Sequence, residues 1–167
     1  STNSSQFPGA NMLIQDAEAE TFLIVDSSKV EMIGVVQDLT STGIGLGITP
    51  IPFSNTLTSL YFPTVYNDSF TDTFTYDLSS SGMTLASTTA EVTSTIDAYG
   101  QLITPTDTIE CLREYVINVS TTSSLLGTNT ITQYSYTWVA LGHGSGIMEV
   151  TTNSSGNINT LKLKEIT

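Results

Sequence analysis

Residues 69–78 read SFTDTFTYDL. Phe70, Phe74, Tyr76 and Leu78 fall at even positions, while Ser69, Thr71, Thr73, Thr75 and Asp77 fall at odd ones. A strand turns successive side chains to opposite faces, so this stretch puts its apolar side chains on one face and its hydroxyls on the other. That is the signature of an antiparallel strand with one face buried and one wet.

The same alternation recurs along the chain. In AEVTSTIDAYG (90–100), Ala90, Val92, Ile96 and Ala98 oppose Glu91, Thr93, Thr95 and Asp97. In ITQYSYTWV (131–139), Tyr134, Tyr136 and Trp138 oppose Gln133, Ser135 and Thr137. Further strands are expected over 20–26, 30–37, 56–62, 109–120, 146–152 and 157–166. Turn residues separate them, at Asp26-Ser27-Ser28, Ser80-Ser81-Gly82, Tyr99-Gly100, Thr104–Asp107 and Ser154–Asn157. No stretch holds a helical apolar period. The prolines of TPIPF (49–53) and of Tyr61-Phe62-Pro63 belong at strand ends or on an edge strand, because proline cannot donate to a ladder. The pattern predicts an all-β fold: a single antiparallel domain over residues 11–167, of about ten strands, arranged as a curved sheet, a half-barrel or a sandwich. Residues 1–10 are expected to form a flexible N-terminal arm.

Composition agrees. Charged residues make up 12% of the 167, while 29 Thr and 21 Ser supply the polarity. Threonine suits a pleated, half-wet surface. Sixteen acids against four bases give a net charge of −12. That excludes a nucleic-acid partner, which needs clustered Lys and Arg, and disfavours anionic lipid. No apolar run reaches transmembrane length. Cys111 is the lone cysteine and sits in an apolar run, so it reads as a buried, inert thiol. The four N-x-S/T sequons, at Asn3, Asn67, Asn118 and Asn153, are close to the roughly three that such a Ser/Thr content gives by chance.

Several stretches taken together carry a resemblance: YFPTVYNDSFTDTFTYD (61–77), IDAYGQLITPTDTIECLREYVI (96–117) and YSYTWVALGHGSGIMEV (134–150). They resemble secreted β-rich proteins of Bacteroidota that precede a C-terminal sorting domain of the type IX secretion system. The later half, through Pro105–Arg113, Trp138–Val150 and Leu161–Ile166, is similar to half-barrel envelope proteins of the lipoprotein-carrier kind. Thr106-Asp107 departs from the small residue and glycine expected at that turn. The resemblance covers about 100 residues on short, degenerate motifs. It implies export, with a removed signal peptide and a cell-surface or extracellular location. It implies a sorting domain downstream and supplies no catalytic residue.

Few segments of this frame carry candidate chemistry. GHGSG (142–146) brings the single histidine beside a serine. A hydrolase elbow needs G-x-S-x-G before a helix, whereas Ser145 is one position late and a strand pattern follows. The segment reads as a glycine turn, with His143 at an exposed tip. GIGLG (43–47) likewise lacks the helix of a dinucleotide site. Calcium is the metal open to this chain, through oxygen ligands at Asp16, Glu18 and Glu20, which share one face if extended. The alternative is a solvated acidic edge. No other cofactor is implied. Asp72, on an apolar face, is expected to pair with Arg113. Phe70, Phe74, Tyr134, Tyr136, Trp138 and Met148 form a candidate apolar binding surface, unless they simply fill the core.

The expected function is that of a non-enzymatic, exported β module with a structural, adhesive or assembly role. Its partner would be a protein or a cell surface, or another copy through strand edges. The alternative is a half-barrel holding a hydrophobic or amphiphilic ligand, and the third is a serine hydrolase.

Overall fold

The computed structural model describes residues 2–16, 19–42, 46–105, 107–143 and 146–163. Among them are ten strands, two short 3-10 turns and no α-helix. The strands are β1 (Met12–Gln15), β2 (Ala19–Val25), β3 (Lys29–Asp38), β4 (Ile48–Tyr61), β5 (Ser69–Ser80), β6 (Met83–Ile103), β7 (Thr108–Ser124), β8 (Gly127–Val139), β9 (Met148–Thr152) and β10 (Ile158–Leu163). They form two sheets, one in the order β1-β2-β3-β4 and the other in the order β10-β9-β8-β7-β6-β5. Within each sheet every strand pairs only with its sequence neighbours, so both sheets are antiparallel meanders, and they are not closed into a barrel. Among the described residues no helix is long and apolar enough to cross a membrane.

The expected strands are present, and several are longer than the alternation predicts. β1 is not among them: four residues, two of them exposed, are too short to show a period. Pro50 and Pro52 sit inside β4, opposite Val36 and Gly34. This is tolerated because β4 is an edge of its sheet.

The chain divides into two compact units. The first comprises Ser1–Pro63, Asp72–Ala90 and Ser120–Thr130, and the second Thr64–Thr71, Glu91–Val119 and Ile131–Thr167. In the first, Phe7, Phe22 and Val36 form a buried cluster with Ala10 and Ile33 against it. Phe7 stacks on Phe22 with ring centroids 4.1 Å apart. The expectation of a loosely held arm is therefore corrected at Phe7, whose ring is a core residue. Gly34 makes room for it, since a Cβ there would lie 2.4 Å from the Phe7 ring and 2.6 Å from the Ile51 carbonyl oxygen. Phe53 and Phe74 add a second aromatic contact, with centroids 4.5 Å apart.

In the second unit Val92, Ser94, Ile96, Ile109, Ile147 and Val150 are buried. The expected alternation of β6 is realised: Ala90, Val92, Ser94 and Ile96 are buried, and the residues between them are partly or fully exposed.

Turn chemistry follows the sequence. The Asp26 carboxylate accepts the N–H groups of Ser28 and Lys29 and the Ser28 hydroxyl. These bonds hold its pKa below the usual aspartate value and close the β2–β3 hairpin.

Candidate functional site

The most concentrated side-chain chemistry lies in the second unit, on one face of β6, β7 and β8. Arg113 donates from Nε to Asp97 Oδ1 and from Nη2 to Asp97 Oδ2, each at 2.9 Å. Its guanidinium carbon stands 5.0 Å from the centre of the Tyr136 ring and 5.9 Å from that of Trp138. Tyr136 in turn stacks on Tyr115 at 4.8 Å. Arginine suits this place because its planar cation satisfies a carboxylate edge-on and aromatic rings face-on. The paired carboxylate raises the Arg113 pKa further, against a smaller opposing effect of burial. The cluster is half-buried and its charge is internally balanced.

Register decides which candidate residues join this face. Tyr134 lies opposite Thr152, Tyr136 opposite Val150 and Trp138 opposite Met148. Tyr134, Tyr136, Trp138 and Met148 thus share one face, as expected. Phe70 does not belong to it. Its neighbours Ser69 and Thr71 bond to Thr95 and Thr93 at 2.9 and 3.0 Å, on the side where Asp97 meets Arg113. Phe70 therefore points to the opposite side of the sheet, because a strand alternates its side chains. Phe74 belongs to the first unit, tilted against Phe53 and stacked in line with Tyr76. The six-residue surface read from alternation alone is corrected to four residues. Alternation fixes faces within a strand but not between strands.

The expected Asp72–Arg113 pair is also corrected. Asp72 Oδ2 accepts the backbone N–H of Thr58 on β4 at 2.8 Å, and Oδ1 accepts the N–H of Thr73. Burial pushes its pKa up, but these backbone bonds outweigh burial and hold it below the usual aspartate value. Beside it, Asn55 of β4 accepts the Thr75 N–H at 3.1 Å and donates to the Thr73 carbonyl. Two sheet edges are here joined by side chains that imitate a strand. Neither Asn55 nor Thr58 stood out in the sequence, because an exposed asparagine between Ser54 and Thr56 carries no pattern.

One buried acid was also missed. Glu114 is 8% exposed and accepts a 2.5 Å bond from the Ser94 hydroxyl. Burial raises its pKa, and the Ser94 bond only partly offsets this.

Among the calcium candidates, Glu18 lies outside the described residues. Asp16 and Glu20 do not extend along one strand. The Asp16 N–H bonds to the Ala19 carbonyl at 3.1 Å and its carboxylate accepts the Ala19 N–H, which folds the chain back between β1 and β2. Glu20 accepts a bond from Asn3. Among the described residues no three His, Cys, Asp or Glu side chains gather in a set able to hold a metal.

Gly144 and Ser145 lie outside the described residues. Before them, Gly142 has a positive φ of 86°. Ile147 N–H bonds to the Trp138 carbonyl at 2.7 Å, and β9 follows rather than a helix. His143 is half-buried rather than fully exposed, with its N–H on the Ala140 carbonyl. Cys111 is partly buried, and burial pushes its thiol pKa up, as an inert thiol requires.

An open, two-sheet antiparallel β protein with a hydroxyl-rich face and one arginine–aromatic cluster is the class these strands define. Comparison of the chain with family models, curated proteins and solved structures finds no match.

Proposed function

We propose that the chain is a non-enzymatic β module exported to the cell surface or beyond, with a structural or adhesive role. The observation that carries this reading is the hydroxyl pairing across strands on the exposed side of the larger sheet. In the second unit Ser69 meets Thr95 and Thr71 meets Thr93. In the first, Thr121 meets Thr130 at 2.9 Å and Ser123 meets Thr128 at 3.1 Å. Such pairs tie neighbouring strands together through uncharged hydroxyls and leave them hydrated. The outer strand β10 is exposed at every residue, with Ile158, Leu161 and Leu163 on a sheet edge, and suits addition of a partner strand or of another copy. The resemblance to type IX secretion cargo of Bacteroidota supports export.

The test is retention and location. Beads coated with the chain should be held on intact cells under flow, saturably and in competition with free chain. Protease treatment of intact cells of the source organism should remove the protein. Folded chain that is neither retained nor protease-accessible rejects the reading.

The Arg113–Tyr136–Trp138 cluster favours a second reading, a binding face for an amphiphilic ligand along Tyr134, Tyr136, Trp138 and Met148. Titration with monomeric fatty acid or detergent should then shift Trp138 emission to saturation. An invariant spectrum rejects this second reading.

A further inference from the structure

The order β8-β7-β6-β5 sets two hairpins side by side, so that the β5–β6 and β7–β8 turns emerge at the same end of the first unit. The proximity is direct. Thr88 and Thr122 share a 2.9 Å bond, and a shallow open groove runs between Leu85 and Ala86 on one side and Ser123 and Leu125 on the other. The β7–β8 tip is apolar where turns are ordinarily polar, and Met83 follows directly on the Ser81-Gly82 turn of the other hairpin. Met83 is 67% exposed, Leu125 93% and Leu126 100%. The β7–β8 turn is tight, with Gly127 at φ 120° and the Leu126 N–H bonded to the Ser124 hydroxyl, so its two leucines are directed outward.

Charge distinguishes this end from the rest of the chain. Around the two turns, residues 78–90 and 120–130 contain no Asp, Glu, Lys or Arg in a protein of net charge −12, and Asp77, just before them, is held on the Ser87 hydroxyl. From these observations we propose that the paired hairpin tips insert into the interfacial region of an electrically neutral lipid surface. This inference is independent of the adhesive reading above. Three apolar side chains on a convex tip fall far short of the roughly 20–30 residues a side that a stable protein interface engages. They match a deformable medium, into which protruding side chains can sink without a shaped partner. The acidic remainder of the chain sets the lipid class: it is repelled by anionic headgroups, while the uncharged tips lose no ion hydration on entering a zwitterionic layer.

The experiment is flotation of the intact chain with phosphatidylcholine vesicles. The wild type should float with them, with little dependence on salt. The L125S/L126S variant should float at least about tenfold less, since two buried leucines are lost, while melting like the wild type because both side chains lie in solvent. In a second readout, L126W should shift its emission to the blue on addition of the same vesicles. Four outcomes overturn the proposal: no flotation of the wild type, undiminished flotation of L125S/L126S, flotation only with charged lipid or only at low salt, or tip-dependent self-association without vesicles.

Discussion

Arg113 and Asp97 face each other across β7 and β6 in a two-bond pair, with both nitrogen–oxygen distances at 2.9 Å. The side chains are 36% and 27% exposed, so solvent screens the attraction. A double-mutant cycle with D97N and R113M should therefore give a coupling of only about 0.5–1 kcal/mol in thermal or chemical denaturation. R113K should lose much of that coupling, because an ammonium cannot form the fork while lying flat over Tyr136. The same variants should shift Trp138 fluorescence, which reports the cation 5.9 Å away. Coupling indistinguishable from zero would reduce the pair to an incidental contact.

Asn55 should matter more than its exposure suggests. Its amide both accepts from Thr75 and donates to Thr73, replacing a missing strand at that place. N55A should cost about 1–2 kcal/mol and increase light scattering on standing, because it reopens a sheet edge. N55D should be no better than N55A, since a carboxylate can accept from Thr75 but repels the Thr73 carbonyl. Urea melts and scattering of the three proteins measure this. An N55A protein as stable and as soluble as wild type would show that the seam is not needed.

Phe7 and Gly34 form a single packing unit. F7A should destabilise by about 3–5 kcal/mol, as expected for a buried aromatic whose cavity does not fully collapse. G34A should cost about 1–3 kcal/mol, because the new methyl group meets the Phe7 ring and the backbone of Ile51 and Pro52. The two losses should not add. In F7A the methyl group of G34A is relieved of the ring, though not of the Ile51 and Pro52 backbone, so the combined variant should be somewhat less destabilised than the sum. Additive losses in the urea melts of the four proteins would place the two residues in separate environments.

The pH dependence of stability should have two limbs. The Glu114 pKa is raised by burial above the ordinary glutamate value of about 4.5. The unfolded chain then releases this proton more readily than the folded one. The contribution of Glu114 is complete below the ordinary value and is lost as pH rises through the raised one. Asp72 acts in the opposite sense, since its pKa is lowered, so its contribution is present above the ordinary value and is lost as pH falls through the lowered one. E114Q should remove the decline on the rising side and leave the acid limb in place, because Ser94 can still donate to the amide oxygen. Melting temperatures between pH 3 and 8 check this. An unchanged slope in E114Q would assign the decline to other groups.

The sequence by itself determined the class and most of the strands. Period-2 alternation is a local property, and burial of one face per strand is enough to impose it, as SFTDTFTYDL and AEVTSTIDAYG illustrate. Turn positions were equally legible, because Asp26 closes its own hairpin with atoms no more than three residues away. Tertiary structure alone decided the partners. Alternation does not align β5 with β8 and so groups Phe70 with Tyr136, whereas the hydroxyl bonds of Ser69 and Thr71 put them on opposite faces. Asp72 and Arg113 looked complementary as the charges on two apolar faces. Cross-strand geometry gave Arg113 to Asp97, and an edge N–H from Thr58 satisfied Asp72. The physical reason is the same in each case: a side chain's own strand sets which way it points, but register and the unsatisfied groups of distant strands set what it meets.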